Sequence, residues 1–409
     1  MTRRVVITGV GAVTPLGVGA PILYERWEAG CSGIDERFGR CSDYEPADHL
    51  STKEIRRADR YTQLAVVAAR EAVGDAGWDG GSPYDPERVG SIIGTGIGGL
   101  SSIADQRTLI RDRGSESVSP LAVPNMMANA AAGVIAMDHV LKGECYAVLS
   151  ACASGAHAIG AAKRSIEYGS LDACVTGGSE AAIHPYGVTI LGQMGATSTT
   201  GLSCPFDARR EGFVIGEGAG ILVLEEEEAA RARGADILGR LAGYGATGDA
   251  YHVTVPEPTG SGAAAAITLA LAEAEIAPAD VDYVNAHGTS TPLNDRSETA
   301  AIKLALGDHA MAVPTSSLKS AIGHLVGAAG AVEAVATLLA LREGMAPPTI
   351  NYEEPEEGLD LDYVPNVSKP LRPEANGGGR IGVTNSFGFG GHNAVLCLRA
   401  AAANGGERA

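Results

Sequence analysis

Cys152 lies in the stretch SACASGAHAIGAAKRSI, residues 150–166, between Ala151 and the run Ala153, Ser154, Gly155. A thiolate is a potent nucleophile near neutral pH. YAVLS, just before it, reads as a strand, and residues 155–168 read as a helix. The sulfur is therefore expected at a strand-to-helix turn, beside a helix N-terminus whose partial positive charge lowers a thiol pKa. The competing reading is a buried sulfur in an alanine-rich core, because free cysteine is among the most buried residue types.

A cysteine nucleophile needs a histidine near it in space. His157 is nearest in sequence, but five positions along a helix is about 140° round the axis, so it is not expected to serve. His287 follows the strand-like VDYV in NAHGTSTP, and the end of a strand is where a side chain projects into a crevice. His324 stands in SLKSAIGHLVGAAGAVEA, near the start of a buried helix and five residues after Lys319. Each histidine has a structural or surface role as its alternative. In NSFGFGGHN, residues 385–393, Gly388, Gly390 and Gly391 let backbone amides approach a developing oxyanion. A tight turn between two strands accounts for the same glycines.

The elements that must hold these residues alternate. Strands are expected at residues 4–8, 88–95, 146–150, 171–177 and 218–225, with a helix at 60–76. A second series follows: a strand in ILGRLAGYGATGDAYH, a helix in SGAAAAITLALAEAEI, the strand before His287, a buried helix at 328–342 and two strands around the glycine turn of NSFGFGGHN. Such alternation implies α/β units with covered sheets, divided near residue 235. GVGAVTPLGVG after the first strand reads as a glycine-rich turn. It is not a dinucleotide fingerprint, because Thr14 stands where a third glycine belongs and no helix clearly opens there. Only residues 403–409 look disordered.

Composition narrows the function. The chain has 409 residues, enough for two domain-sized units with a large core. A formal charge of −18 disfavours nucleic acid and anionic membrane as partners. The seven cysteines are scattered, with no CxxC pair, which fits neither a disulfide framework nor a metal site. No signal-peptide pattern or membrane span is visible, so a reduced, cytoplasmic protein is expected.

Taken together, ACASG, NAHGTSTP, KSAIGHLVGAAGAVE and NSFGFGGHN resemble the β-ketoacyl-acyl carrier protein synthases, most closely the elongating type II condensing enzymes. RRVVITGVGAVTPLG, PFDARREGFVIGEGAG and APPTINYEEPEEGLDLDYVPN extend the resemblance over essentially the whole chain. It implies the α/β thiolase fold: two similar βαβαβ halves in a five-layered αβαβα sandwich, here residues 1–235 and 236–409. It also implies a homodimer, acyl carrier protein as partner, and no cofactor or metal, since substrates arrive on the carrier's phosphopantetheine.

The resemblance assigns roles residue by residue. Cys152 is the acyl-accepting nucleophile. His287 and His324 hydrogen-bond the malonyl thioester oxygen. Lys319 and Glu333 support them by orienting His324 and balancing charge. The amides of Cys152 and Phe389 form an oxyanion hole. Thr289 and Thr291 hold the pantetheine arm, Phe387 and Phe389 stand beside the sulfur, and Met127 closes the acyl pocket. Lys53, Arg56, Arg57 and Arg60 make a basic patch for the acidic carrier.

This chain departs from the family pattern at two places. Glu144 replaces the usual proline in LKGECYAV, and TSTTGLSCPFD lacks an expected basic residue, so docking there is weaker or uses Arg209 and Arg210. A ketosynthase of a type II polyketide system, working as a heterodimer, is the main alternative function. A non-catalytic acyl-binding or chain-length-factor-like partner is a further one.

Overall fold

The computed structural model describes residues 3–78, 80–374 and 378–401. The segment 403–409, read as disordered, lies outside them. Five strands of the first half are β1 (Val5–Thr14), β2 (Val89–Gly94), β3 (Cys145–Val148), β4 (Ala173–Ala181) and β5 (Ile215–Glu226). Five of the second are β6 (Gly239–Gly248), β7 (Tyr283–Asn285), β8 (Thr315–Ser316), β9 (Ile381–Gly388) and β10 (His392–Ala400). Their order in the sheet is β8-β7-β9-β10-β6-β1-β5-β4-β2-β3.

That order is a repeat. Counting outwards from the centre, the halves run 1-5-4-2-3 and 6-10-9-7-8, the same path shifted by five. Pairing type repeats too: β1–β5 and β6–β10 are antiparallel, while β2–β3 and β7–β8 are parallel. The halves join through two antiparallel residue pairs between β1 and β6. Letter identity did not reveal this repeat, because packing constrains the path of the chain more tightly than the residue at each position.

Helices complete the layers. Helix α1 (Arg60–Asp75) covers β1 and β5 on one outer face. Helices α2 (Ser154–Glu167) and α5 (Ala329–Glu343) touch each other between the two halves of the sheet, packed on strands from both. On the other outer face α3 (Ser261–Glu273) covers β6 and β10, with α4 (Pro292–Leu306) against it. This is the expected five-layered αβαβα arrangement.

The abundant glycine has a specific use here. Residues 9–14, expected as a turn, continue β1. A Cβ at Gly9 would sit 2.0 Å from the Ala72 carbonyl oxygen, and one at Gly11 2.1 Å from that of Ala68. On β6 the same holds for Gly243 against Ala270, at 2.0 Å, and Gly245 against Ala266, at 1.9 Å. Paired glycines thus let each outer helix lie against its strand. The helix not seen after the first strand opens at Ala20, with Pro21 in its first turn, where its missing N–H costs nothing.

Candidate active site

β3 ends at Val148, and the chain turns sharply before α2. Ala151 adopts φ 51°, a left-handed conformation that L-residues with a Cβ rarely take. Ser154 fixes the turn: its hydroxyl donates to the Ala151 carbonyl (2.6 Å) and accepts from the Ser150 N–H (2.9 Å). Cys152 is thereby held at the floor of a cavity of about 320 Å³, with 7% of its surface exposed.

The second half supplies the histidines. His287 follows β7, and its backbone N–H and that of Gly288 each donate to one oxygen of buried Glu298 at 2.7 Å. Asn385 on β9 donates to the same carboxylate at 3.1 Å. The His324 N–H donates to the Val214 carbonyl at 2.7 Å, which fixes its loop against β5. The two imidazoles stand nearly perpendicular, 87° apart with centroids 5.3 Å apart. Cys152 Sγ and a nitrogen of each ring lie within 4.8 Å of one another.

Lys319 departs from its expected role. Its Nζ is paired with Glu333 of α5 and stands 3.3 Å from Nδ1 of His287. It therefore orients His287 and not His324, whose Nδ1 has no hydrogen-bond partner. His324 itself precedes a short turn at Val326–Ala328 and lies near the start of the buried helix α5, as expected. An ammonium donating to Nδ1 leaves the His287 proton on Nε2.

Burial sets the protonation states. Burial, then Lys319, then His324 hold the His287 pKa well below the usual histidine value, and burial and Lys319 do the same to His324. Both rings are neutral at pH 7 and so present N–H donors without charge. Burial pushes Glu333 up to about 7 against the pull of Lys319. Burial also pushes the Cys152 thiol up to about 11, opposed by Lys319 and by the backbone amides of Phe389 and Cys152. The thiol pKa thus moves opposite to the expected direction, because desolvation of the thiolate outweighs the neighbouring positive groups. The same two amides lie near the sulfur. Gly388 permits this approach, since a Cβ there would lie 3.1 Å from the Cys152 nitrogen.

Thr289, Thr291, Phe387 and Phe389 line this cavity. The two threonine hydroxyls are 2.9 Å apart, and Thr291 also caps α4 by accepting from the Asn294 N–H. Met127 does not reach it. Its carbonyl accepts from the Tyr61 hydroxyl, and its side chain lines a separate surface depression with Leu50 and Met137. His157 is held away by a 2.6 Å hydrogen bond between its Nδ1 and the Ser150 hydroxyl.

Among the basic residues, Lys53, Arg56 and Arg57 are exposed on the helix Thr52–Arg57. Arg60 is not part of that patch, because both its Nε and an Nη grip buried Glu217 at 2.9 and 2.7 Å. Arg209 and Arg210 are likewise engaged, with Asp207, Glu353 and Glu356. The uncharged TSTTGLS loop wraps Glu211, which accepts from the hydroxyls of Ser198, Thr199 and Thr200. Glu144 accepts from the Ser165 hydroxyl of α2 at 2.8 Å.

Two buried carboxylates escaped the sequence reading. Glu298 sits on α4, whose start is signalled by Thr291 as N-cap and Pro292 as first residue. Glu180, at the end of β4, accepts from the N–H groups of Gly96 (2.6 Å) and Gly327 (3.1 Å) and from the Thr95 hydroxyl (3.2 Å). No local signal marks Glu180.

Comparison with known proteins agrees with this geometry. The beta-ketoacyl synthase N-terminal domain model matches residues 2–230, and the C-terminal domain model residues 238–353. The 3-oxoacyl-[acyl-carrier-protein] synthase 2 of Synechocystis sp. is 44% identical over 97% of this chain and 98% of its own. The Staphylococcus aureus protein of the same name is 42% identical over 97% and 98%. Among solved structures, a beta-ketoacyl synthase from Burkholderia phymatum superposes with a TM-score of 0.89 at 33% identity, covering 98% of this chain and all of the other. A type II PKS ketosynthase complexed with its acyl-carrier protein gives 0.86 at 32% over 98% and 100%.

Proposed function

The chain belongs to the β-ketoacyl synthase family, and from that premise we propose how its site performs a decarboxylative condensation. The enzyme elongates acyl chains as a 3-oxoacyl-acyl carrier protein synthase of type II fatty acid synthesis. Cys152 gives up its proton and attacks the carbonyl of an acyl thioester. The acyl group moves to sulfur, and the carrier's pantetheine thiol leaves with a proton. Malonyl-carrier protein then enters along Thr289 and Thr291. Loss of carbon dioxide leaves an electron pair delocalised onto the thioester oxygen, and His287 and His324 donate hydrogen bonds to that oxygen. The resulting carbon nucleophile attacks the acyl-cysteine carbonyl, whose oxygen is received by the amides of Cys152 and Phe389. Collapse releases the Cys152 sulfur and a β-ketoacyl thioester two carbons longer.

The observation that carries this reading is one sulfur within 4.8 Å of two neutral imidazoles in a cavity that Thr289, Thr291 and Phe389 also line. No step uses a metal or a cofactor, because the substrates bring their own activated thioester. Free cysteines throughout and no helix among the described residues long and apolar enough to cross a membrane support a cytoplasmic enzyme. We also infer a homodimer. β3 is one of the two edges of the sheet, and Tyr146, Leu149, Met137 and Val140 expose apolar surface on and near it.

Incubation with acyl-carrier protein followed by mass spectrometry tests the assignment. The expected product is a single acyl adduct on Cys152, absent from Cys152→Ala, which also loses condensation. Cys152→Gln is expected to retain malonyl decarboxylation. A Cys152→Ala protein that still condenses acyl and malonyl carriers would overturn the reading. The likeness to a type II PKS ketosynthase and to a ketosynthase/chain length factor supports a second pathway assignment. Purification as a heterodimer, with turnover on polyketide but not saturated acyl carriers, would favour it.

A further inference from the structure

Two arginines face each other where the halves of the sheet meet. Arg240 on β6 and Arg399 on β10 are direct partners in the antiparallel ladder, and Val6 of β1 follows Arg240 in the same row. Directly opposite residues in such a ladder have Cβ atoms about 5 Å apart, and like charges there are destabilising. The Nε of each arginine is buried with no hydrogen-bond partner. Burial and the nearby Arg4 and Arg399 hold Arg240 below the usual arginine pKa, and Glu227 and Glu167 offset this only in part.

These arginines line a depression of about 570 Å³ that shares no residue with the Cys152 cavity. Its walls include Val6, Ile237 and Ala400, and its rim carries Arg231, Glu227 and Asp236. Glu227 is already engaged, 2.7 Å from Arg231 and 4.0 Å from Arg4. The depression therefore holds three guanidinium groups, of Arg231, Arg240 and Arg399, against the carboxylates of Glu227 and Asp236, a local positive balance within a chain of net charge −18. Two guanidinium groups carried on directly paired residues of neighbouring strands, each with an unpartnered Nε, suit an anion with several oxygens. A tetrahedral phosphate can accept from both, whereas a carboxylate is matched to one fork.

We propose that this depression at the seam of the sheet binds a small phosphate-bearing molecule, with the phosphate on Arg240 and Arg399 and an apolar portion against Ile237 and Ala235. Calorimetric titration of the full chain with phenyl phosphate, inorganic phosphate and benzoate tests it. Phenyl phosphate is expected to bind tightest, inorganic phosphate more weakly for lack of the apolar part, and benzoate weakest. Arg240→Gln and Arg399→Gln are each expected to weaken phenyl phosphate binding about tenfold or more, with condensation unchanged. Arg240→Lys, keeping the charge without the fork, is expected to weaken it less than Arg240→Gln. The proposal fails if phenyl phosphate does not bind, binds no better than benzoate, or binds the Gln variants as it does the wild type.

Discussion

Lys319 Nζ stands 3.3 Å from Nδ1 of His287 while paired with Glu333, so one ammonium serves a ring and a carboxylate at once. Lys319→Met acts at both places. It leaves the His287 proton free to sit on either nitrogen, and it leaves Glu333 buried without its partner. The second effect costs about 3–5 kcal/mol. Adding Glu333→Leu removes the stranded carboxylate. Thermal unfolding of the double variant is therefore expected to return towards the wild-type Tm, while condensation stays about a hundredfold slower. Recovery of both together would make Lys319 structural only.

The Cys152 thiol, pushed up to about 11 by burial, is protonated at rest near neutral pH. Its ionised fraction rises as pH rises. Alkylation by iodoacetamide, followed on the Cys152 peptide to set aside exposed Cys31 and Cys145, is expected to climb about tenfold per pH unit from pH 7 to 10. A plateau below pH 8 would mean that the amides and the start of α2 outweigh desolvation.

How much of this was legible in the sequence follows from the range of each interaction. Cys152, His287 and His324 lie in short runs of small residues that mark themselves locally. His287 is 32 positions from Lys319 and Glu217 is 157 from Arg60, so neither contact leaves a local pattern. Gly9 and Gly11 read as a turn because their reason is a helix some 60 residues later, pressed against the strand. Glu298 was within reach, since Thr291 and Pro292 announce its helix. Met127 lines a different depression from Cys152, a placement set by tertiary packing that no local pattern shows.

Glu180 predicts a pH dependence of stability. Burial raises its carboxyl from 4.5 to about 7, despite the N–H and hydroxyl donors around it that favour the ionised form. Between these values the folded state holds the proton more firmly than the unfolded state. Its contribution is therefore fullest below pH 4.5 and is lost as pH rises through 7, on the order of 1–3 kcal/mol. Glu180→Gln cannot titrate, and its amide meets N–H groups where the carboxylate accepted. The variant is expected to be less stable than wild type at pH 5, with the gap in Tm narrowing towards pH 8. His287 and His324 titrate in both proteins and cancel in the difference. A gap independent of pH would rule out a raised Glu180.

The basic segment divides into two functions that mutation can separate. Arg56 and Arg57 are exposed at the end of the helix Thr52–Arg57, whereas Arg60 grips Glu217, whose side chain is only 4% exposed. An exposed cation near an acidic partner acts mainly through association, and salt screens it. Arg56→Ala combined with Arg57→Ala is therefore expected to raise KM for acyl carrier protein severalfold with kcat and Tm unchanged, and the difference should shrink at high salt. Arg60→Ala strands a buried carboxylate and is expected to lower stability on the order of 2 kcal/mol, with no particular effect on KM. Steady-state kinetics across a salt series, with thermal unfolding of each variant, distinguishes the two. A rise in KM from Arg60→Ala at full stability would return that residue to the docking surface.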